Sequence, residues 1–148
     1  MEKDIPLFEK SLHRFFDESI PNAVQIAPPV QGQPGQSFVL DYTGLIAIHG
    51  THRGSVYFST GGEFLDEFIR QFLGADPVEE LRRDAVGEIA NNISAGCGEF
   101  FGKGYIISEP AVVRAGEATD ISLKFPSHVF QITWAERKAY FVVGLERF

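Results

Sequence analysis

Asp84, Glu88 and Asn91 combine polar, chemically capable side chains with helical spacing. On a wheel at about 100° per residue, with Asp84 as zero, Glu88 falls near 40° and Asn91 near −20°. One stripe therefore carries two carboxylates, which accept hydrogen bonds and bear charge. It also carries one amide, which donates and accepts without charge. Val86, Ile89, Ile93, Cys97 and Phe100 fall between about 140° and 220°, on the opposite, apolar side. Gly87, Ala95 and Gly98 flank the stripe. Exposed helix positions favour Lys, Glu, Gln and Arg, and glycine there costs about 1 kcal/mol relative to alanine. Small residues beside the stripe suit the close approach of another backbone, either a docking partner's or that of the domain's own sheet. By spacing alone the stripe fits an ordinary solvated helix face as well as a site.

Other candidate constellations carry less. His49-x-x-His52 has a spacing found in some metal sites, but it lies on a strand end and turn with no paired Cys or third ligand. Cys97 sits on the apolar helix side and reads as a small core hydrophobe, not a nucleophile. Gly61-Gly62 lacks the Lys and Ser/Thr of a phosphate-binding loop. Ser94 lies inside a helix and not on a strand-to-helix turn, so a nucleophile elbow is excluded. No metal site and no cofactor of the chain's own is expected.

The elements that must position the stripe follow from apolar periodicity. Residues 4–20 read as a helix, with Ile5, Phe8, Leu12, Phe15 and Phe16 on one stripe, Pro6 in the first turn and Pro21 beyond the end. Residues 28–35 read as a breaker-rich loop. Strands are expected over 37–49 and 55–59, joined by a turn at 50–54 into an antiparallel hairpin. A helix from Phe64 to Leu73 follows, with Thr60 as N-cap, Glu63 at capping-box spacing and Gly74 as C-cap. The longest helix is expected from Val78 to Phe101, with Pro77 at its first position. Strand signals follow at 105–107, 111–113, 120–125, 129–134 and 140–145, with residues 135–138 as the last hairpin turn. The order predicts an α+β fold, a two-layer α/β sandwich of mainly antiparallel sheet and about three helices.

Length and composition bound the rest. The chain has 148 residues, 13 Lys and Arg against 20 Asp and Glu, a net charge of −7 and one cysteine. One domain spanning residues 1–148 is expected. No intrachain disulfide can form, which fits a reducing compartment. The acidic balance and the lack of a Lys/Arg cluster argue against nucleic acid and anionic membrane as partners. No apolar run approaches the roughly 18 residues of a membrane span, and no signal peptide opens the chain, so a cytoplasmic protein is expected.

Asp84-x-x-x-Glu88-x-x-Asn91 matches the Asp/Ser-x3-Glu-x2-Asn signature of the CheC/CheX/FliY phosphatases. The surroundings resemble that family in order along most of the chain. Pro6-Leu7-Phe8 resembles its start. Ile46-Ala47-Ile48-His49-Gly50 and Gly54-Ser55-Val56-Tyr57-Phe58 resemble its first hairpin. Phe72-Leu73-Gly74 resembles the end of the preceding helix, and Glu109 to Gly116 the strand segment after the signature. The CheX group is the closer match, because only one signature is intact. In the first helix, starting from Ser11, Phe15 stands where Glu is needed and Glu18 where Asn is needed.

The resemblance implies hydrolysis of the aspartyl phosphate of a CheY-like response regulator in chemotaxis or another two-component pathway. Asn91 would orient the attacking water and Glu88 would pair with the receiver's active-site lysine. Asp84, Gly87 and Ala95 would support or dock. Mg²⁺ would belong to the partner receiver, and a homodimer joined through edge strands is implied. The alternative is a non-catalytic CheX-like binding or dimerisation module that docks a receiver without hydrolysis.

Overall fold

The computed structural model describes residues 3–33, 36–117, 121, 123 and 126–147. Its elements are α1 (Ile5–Ser19), β1 (Gln25–Ile26), β2 (Val30–Gln31), β3 (Tyr42–Gly50), β4 (His52–Thr60), α2 (Gly62–Phe68), α3 (Glu79–Gly96), α4 (Gly98–Phe101), β5 (Tyr105–Ile107), β6 (Ala111–Arg114), β7 (His128–Trp134) and β8 (Arg137–Arg147). The strands form one antiparallel sheet in the order β1-β7-β8-β4-β3-β5, with β2 also on β7 and β6 also on β3. Each edge is thus capped by two short strands. The α+β sandwich expected from the sequence is the architecture observed.

Strand alternation divides the apolar residues between two faces. Ile46, Ile48, Val56, Phe58, Phe130, Ile132, Phe141 and Val143 face the helices and are buried with Phe8, Leu12, Phe16, Phe64, Val86, Ile89 and Ile93. Tyr57, Val129 and Val142 face the other way, beneath Phe38, Val39, Ile121 and Leu123. One continuous cross-strand row lies on the helix-facing side. In register it runs Val112, Gly44, Phe58, Phe141, Phe130. Gly44 is a notch in a row of bulky side chains. Among the described residues no helix is long and apolar enough to cross a membrane.

Several expected boundaries move, for physical reasons. The β3–β4 turn is centred on Thr51 alone, because ladder pairing extends to Ile48↔Gly54. Residues 37–41 precede the strand and do not join it. Val30–Gln31, within the expected loop, pairs with β7 through Val30↔Val129. Thr60 does not cap α2: its buried hydroxyl donates to the carbonyls of Gly61 and Lys138. The cap comes from Asp41, whose Oδ2 accepts from the Gly62 N–H at 3.0 Å. After Phe68 the helix widens into a π turn over Ile69–Leu73 and ends at Gly74, whose φ of 63° is left-handed. Pro77 lies outside α3, which starts at Glu79 with extended Val78 as its N-cap. The long helix breaks at Cys97 into α3 and α4. Of the expected strand at 120–125, Asp120, Ser122, Lys124 and Phe125 lie outside the described residues.

Candidate functional site

α3 lies across the helix-facing side of β3, and close backbone approach seats it there. An alanine Cβ at Gly44 would stand 2.7 Å from the Val86 carbonyl oxygen and 3.0 Å from the Ala90 Cβ. The notch at Gly44 therefore lets the helix sink onto the strand. At its far end α3 touches α1 equally closely: a Cβ at Gly96 would be 2.4 Å from Ser11 Oγ. Ser11 Oγ in turn donates to the Ile93 carbonyl at 2.7 Å.

This seating fixes which residues face outward. Ala85, Val86, Ile89, Ala90, Ile93 and Cys97 are buried. Asp84, Glu88, Asn92 and Ala95 are exposed, and Asn91 is half-buried. The stripe expected from the wheel is present, with Asp84, Glu88, Asn91 and Ala95 on successive turns of one helix side. Among the described residues, no hydrogen bond or ion pair engages the side chains of Asp84, Glu88 or Asn91.

The neighbouring cations are committed elsewhere. Arg82 donates to Asp66 Oδ1 at 2.6 Å, Arg83 to Glu79 Oε2 at 3.2 Å, and Arg83 also pairs with Glu117. Tyr42 donates to Glu79 Oε1 at 2.5 Å and Arg114 reaches Glu79 Oε2 at 3.2 Å. The Tyr42 hydroxyl, followed by Arg114 and Arg83, holds the Glu79 carboxyl below its ordinary range. Arg14, on the α1 side, pairs with Glu99 at 2.7 Å. The Arg side chains around the stripe thus serve Asp66, Glu79, Glu99 and Glu117. The carboxylates of Asp84 and Glu88 have no cationic partner among the described residues.

Gly87 turns inward from the stripe. It is buried, with Val112 Cγ2 3.0 Å and Pro110 Cγ 3.4 Å from the position of an added Cβ. It packs on Val112 of β6, one of the two close approaches the sequence leaves open for the small residues. Ala95 keeps an exposed position. Asn92 turns toward α1, lining a groove with Ser11, Arg14, Phe15 and Phe72. That separates it from Asn91, as the wheel implies.

The weaker constellations fall away. His49 is exposed, while His52 is buried, with Nε2 3.1 Å from Asp4 Oδ2 and Nδ1 2.9 Å from Thr51 Oγ1. Among the described residues no group of three His, Cys, Asp or Glu side chains is placed to hold a metal. Burial pushes the Cys97 thiol up to about 12. Ser94 is buried and donates to the Ala90 carbonyl at 2.7 Å. In α1, Ser11 is buried and spent on the Ile93 carbonyl, so the degenerate signature there is a structural contact. Sequence reasoning missed Gly44, Pro110 and Val112 as supports of α3. A glycine inside a strand pattern was the available signal for the first.

The family description "Chemotaxis phosphatase CheX" matches residues 42–133, more than half of the chain, from β3 through α3 into β7. The chain belongs to the CheX family. Solved structures of the same fold cover nearly all of it. A chemotactic CheC-like protein from Shewanella oneidensis MR-1 superposes with a TM-score of 0.84 at 22% identity, covering 99% of this chain and 100% of its own. Chemotaxis protein CheX from Vibrio vulnificus gives 0.82 at 22% identity, covering 97% and 99%. The CheX–CheY–BeF3–Mg complex from Borrelia burgdorferi gives 0.78 at 10% identity, covering 97% of each chain. No curated protein sequence matches significantly. In this CheX-family chain the Asp84-Glu88-Asn91 stripe lies within the matched region.

Proposed function

We propose that this chain hydrolyses the aspartyl phosphate of a CheY-like receiver domain, with Glu88 and Asn91 as the residues that meet it. The supporting observation is an exposed carboxylate and a half-buried amide on one side of a tightly seated helix, with no side-chain partner among the described residues. Membership of the CheX family supports the reaction class. A CheX of the same fold that forms a complex with CheY, BeF3 and Mg supports the partner class.

Acyl phosphates are labile, so positioning and charge stabilisation supply most of the catalysis. Asn91 orients a water in line with the phosphoryl group, accepting from it through the amide oxygen or donating through the NH₂. An amide adds no negative charge beside the anionic phosphoryl group, as a carboxylate would. The water oxygen bonds to phosphorus as the bond to the aspartyl oxygen breaks. Both protons stay with the phosphate, and the aspartate leaves as a carboxylate. Glu88 forms a charge-assisted contact with the receiver's lysine and fixes the pose. Asp84 supports docking one turn earlier, and Ala95 leaves room for the receiver's backbone. Mg²⁺ is held by the receiver, the chain needs no cofactor of its own, and it works in the cytoplasm as a homodimer joined through an edge strand.

The test is phosphate release from a set of purified, phosphorylated receiver domains, with wild type beside Glu88→Ala and Asn91→Ala. Acceleration by wild type that both variants lose supports the reading. Binding to phosphorylated receiver without acceleration would replace it with a non-catalytic docking module.

A further inference from the structure

The edge of α3 that carries Asn91 packs on the domain's own sheet at Gly87. Gly87 precedes Glu88 and lies one turn before Asn91, so residues 87 and 91 share a helix edge. That edge faces β6. A Cβ at 87 would stand 3.0 Å from Val112 Cγ2 and 3.4 Å from Pro110 Cγ. Carbon atoms in good contact sit about 3.5–4.0 Å apart. The helix therefore rides closer to β6 than a side chain at 87 allows without displacement.

The displacement has few directions to take. Val112 is the register neighbour of Gly44, the notch in which α3 sits. Below, α3 rests on Gly44, where an added Cβ would stand 2.7 Å from the Val86 carbonyl oxygen. At the far end Gly96 is against Ser11, whose Oγ holds the Ile93 carbonyl at 2.7 Å. A methyl group at 87 displaces Val112 or shifts the middle of α3 away from β6, and a shift of α3 carries Glu88 and Asn91 with it.

We propose that Gly87 is a positioning residue: its missing side chain lets Val112 set the depth and roll of α3 at which Asn91 meets the phosphoryl group. The role rests on the phosphatase reading above. Gly87 is buried, so it acts through Val112 and not by touching the receiver.

The experiment compares wild type, Gly87→Ala, Val112→Ala and the double variant Gly87→Ala/Val112→Ala. Two readouts are taken: steady-state hydrolysis of phosphorylated receiver, and the side-chain NH₂ resonances of Asn91 in the free protein. Alanine is the better helix former but overpacks the contact with Val112, so Gly87→Ala is expected to fold with a melting temperature near or below that of wild type. It should nevertheless lose about tenfold in kcat at unchanged KM, the scale of a small misplacement. Its Asn91 resonances should shift, and the double variant should recover both kcat and resonances. Wild-type kcat with unshifted resonances in Gly87→Ala overturns the proposal. So does a loss confined to KM that Val112→Ala fails to rescue, which makes residue 87 a contact residue. Val112→Ile presses on the same contact from the strand side and carries both readouts if Gly87→Ala fails to fold. If wild type hydrolyses no receiver phosphate, the phosphatase reading fails, and the resonances alone decide whether Gly87 and Val112 place Asn91.

Discussion

Ser11 Oγ donates a 2.7 Å hydrogen bond to the carbonyl of Ile93, a buried link between α1 and the last turn of α3. Carbonyls in a last helical turn run out of backbone donors, so the hydroxyl supplies one that α3 lacks. In sequence, Ser11 heads a degenerate copy of the Asp84-Glu88-Asn91 pattern. In the fold it joins two helices. Ser11→Ala leaves the packing volume nearly unchanged and removes the donor. It should lower the unfolding free energy by about 1–2 kcal/mol, read from urea midpoints at constant m-value.

Glu88 is exposed and the neighbouring arginines are paired with other carboxylates. The proposed pairing of Glu88 with a receiver lysine predicts a charge effect. Glu88→Gln keeps the shape and removes the charge. A charge-assisted contact contributes about 1.5–3 kcal/mol, so kcat/KM should fall roughly ten- to hundredfold. The wild-type value should also fall more steeply with added salt than that of Glu88→Gln. Equal salt dependence would separate Glu88 from the docking charge pair.

Cys97 offers a check on the core beneath the site. Burial holds its thiol at about 12, against an ordinary 9.0. The folded state therefore keeps a proton that the unfolded chain gives up. The associated stability is complete below about pH 9 and declines as pH rises from 9 toward 12. Tyr57 and Tyr105, whose hydroxyls burial also pushes up, act in the same direction. Native protein at pH 8 should resist iodoacetamide, while urea-unfolded protein is alkylated. The unfolding free energy should fall between pH 9 and 10.5. Rapid alkylation of the native state would contradict a buried, neutral thiol.

The fold was legible where periodicity was strong. The helix of Ile5, Phe8, Leu12 and Phe16 and the strands around Phe130 and Phe141 formed as their spacing implies. Boundaries governed by distant partners were not legible. Asp41 caps α2 from 21 residues away, and β7 recruits Val30–Gln31 out of a proline-rich loop. The stripe was legible for the same reason as the helices, since wheel geometry depends on sequence alone. The inward turn of Gly87 was not. A glycine beside an exposed stripe and a glycine pressed on a strand look alike until Val112 is known to sit next to Gly44.

Asn91 carries the central claim, because an uncharged amide is the group assigned to orient the attacking water. The direct measurement is single-turnover decay of a phosphorylated receiver at saturating wild type and Asn91→Ala, with receiver affinity measured in parallel. The expected result is a loss of about a hundredfold or more in the decay rate, the scale of a misplaced reactant, with affinity changed less than about threefold. Decay in Asn91→Ala as fast as in wild type, at equal affinity, would remove Asn91 from the chemistry and contradict the proposed mechanism.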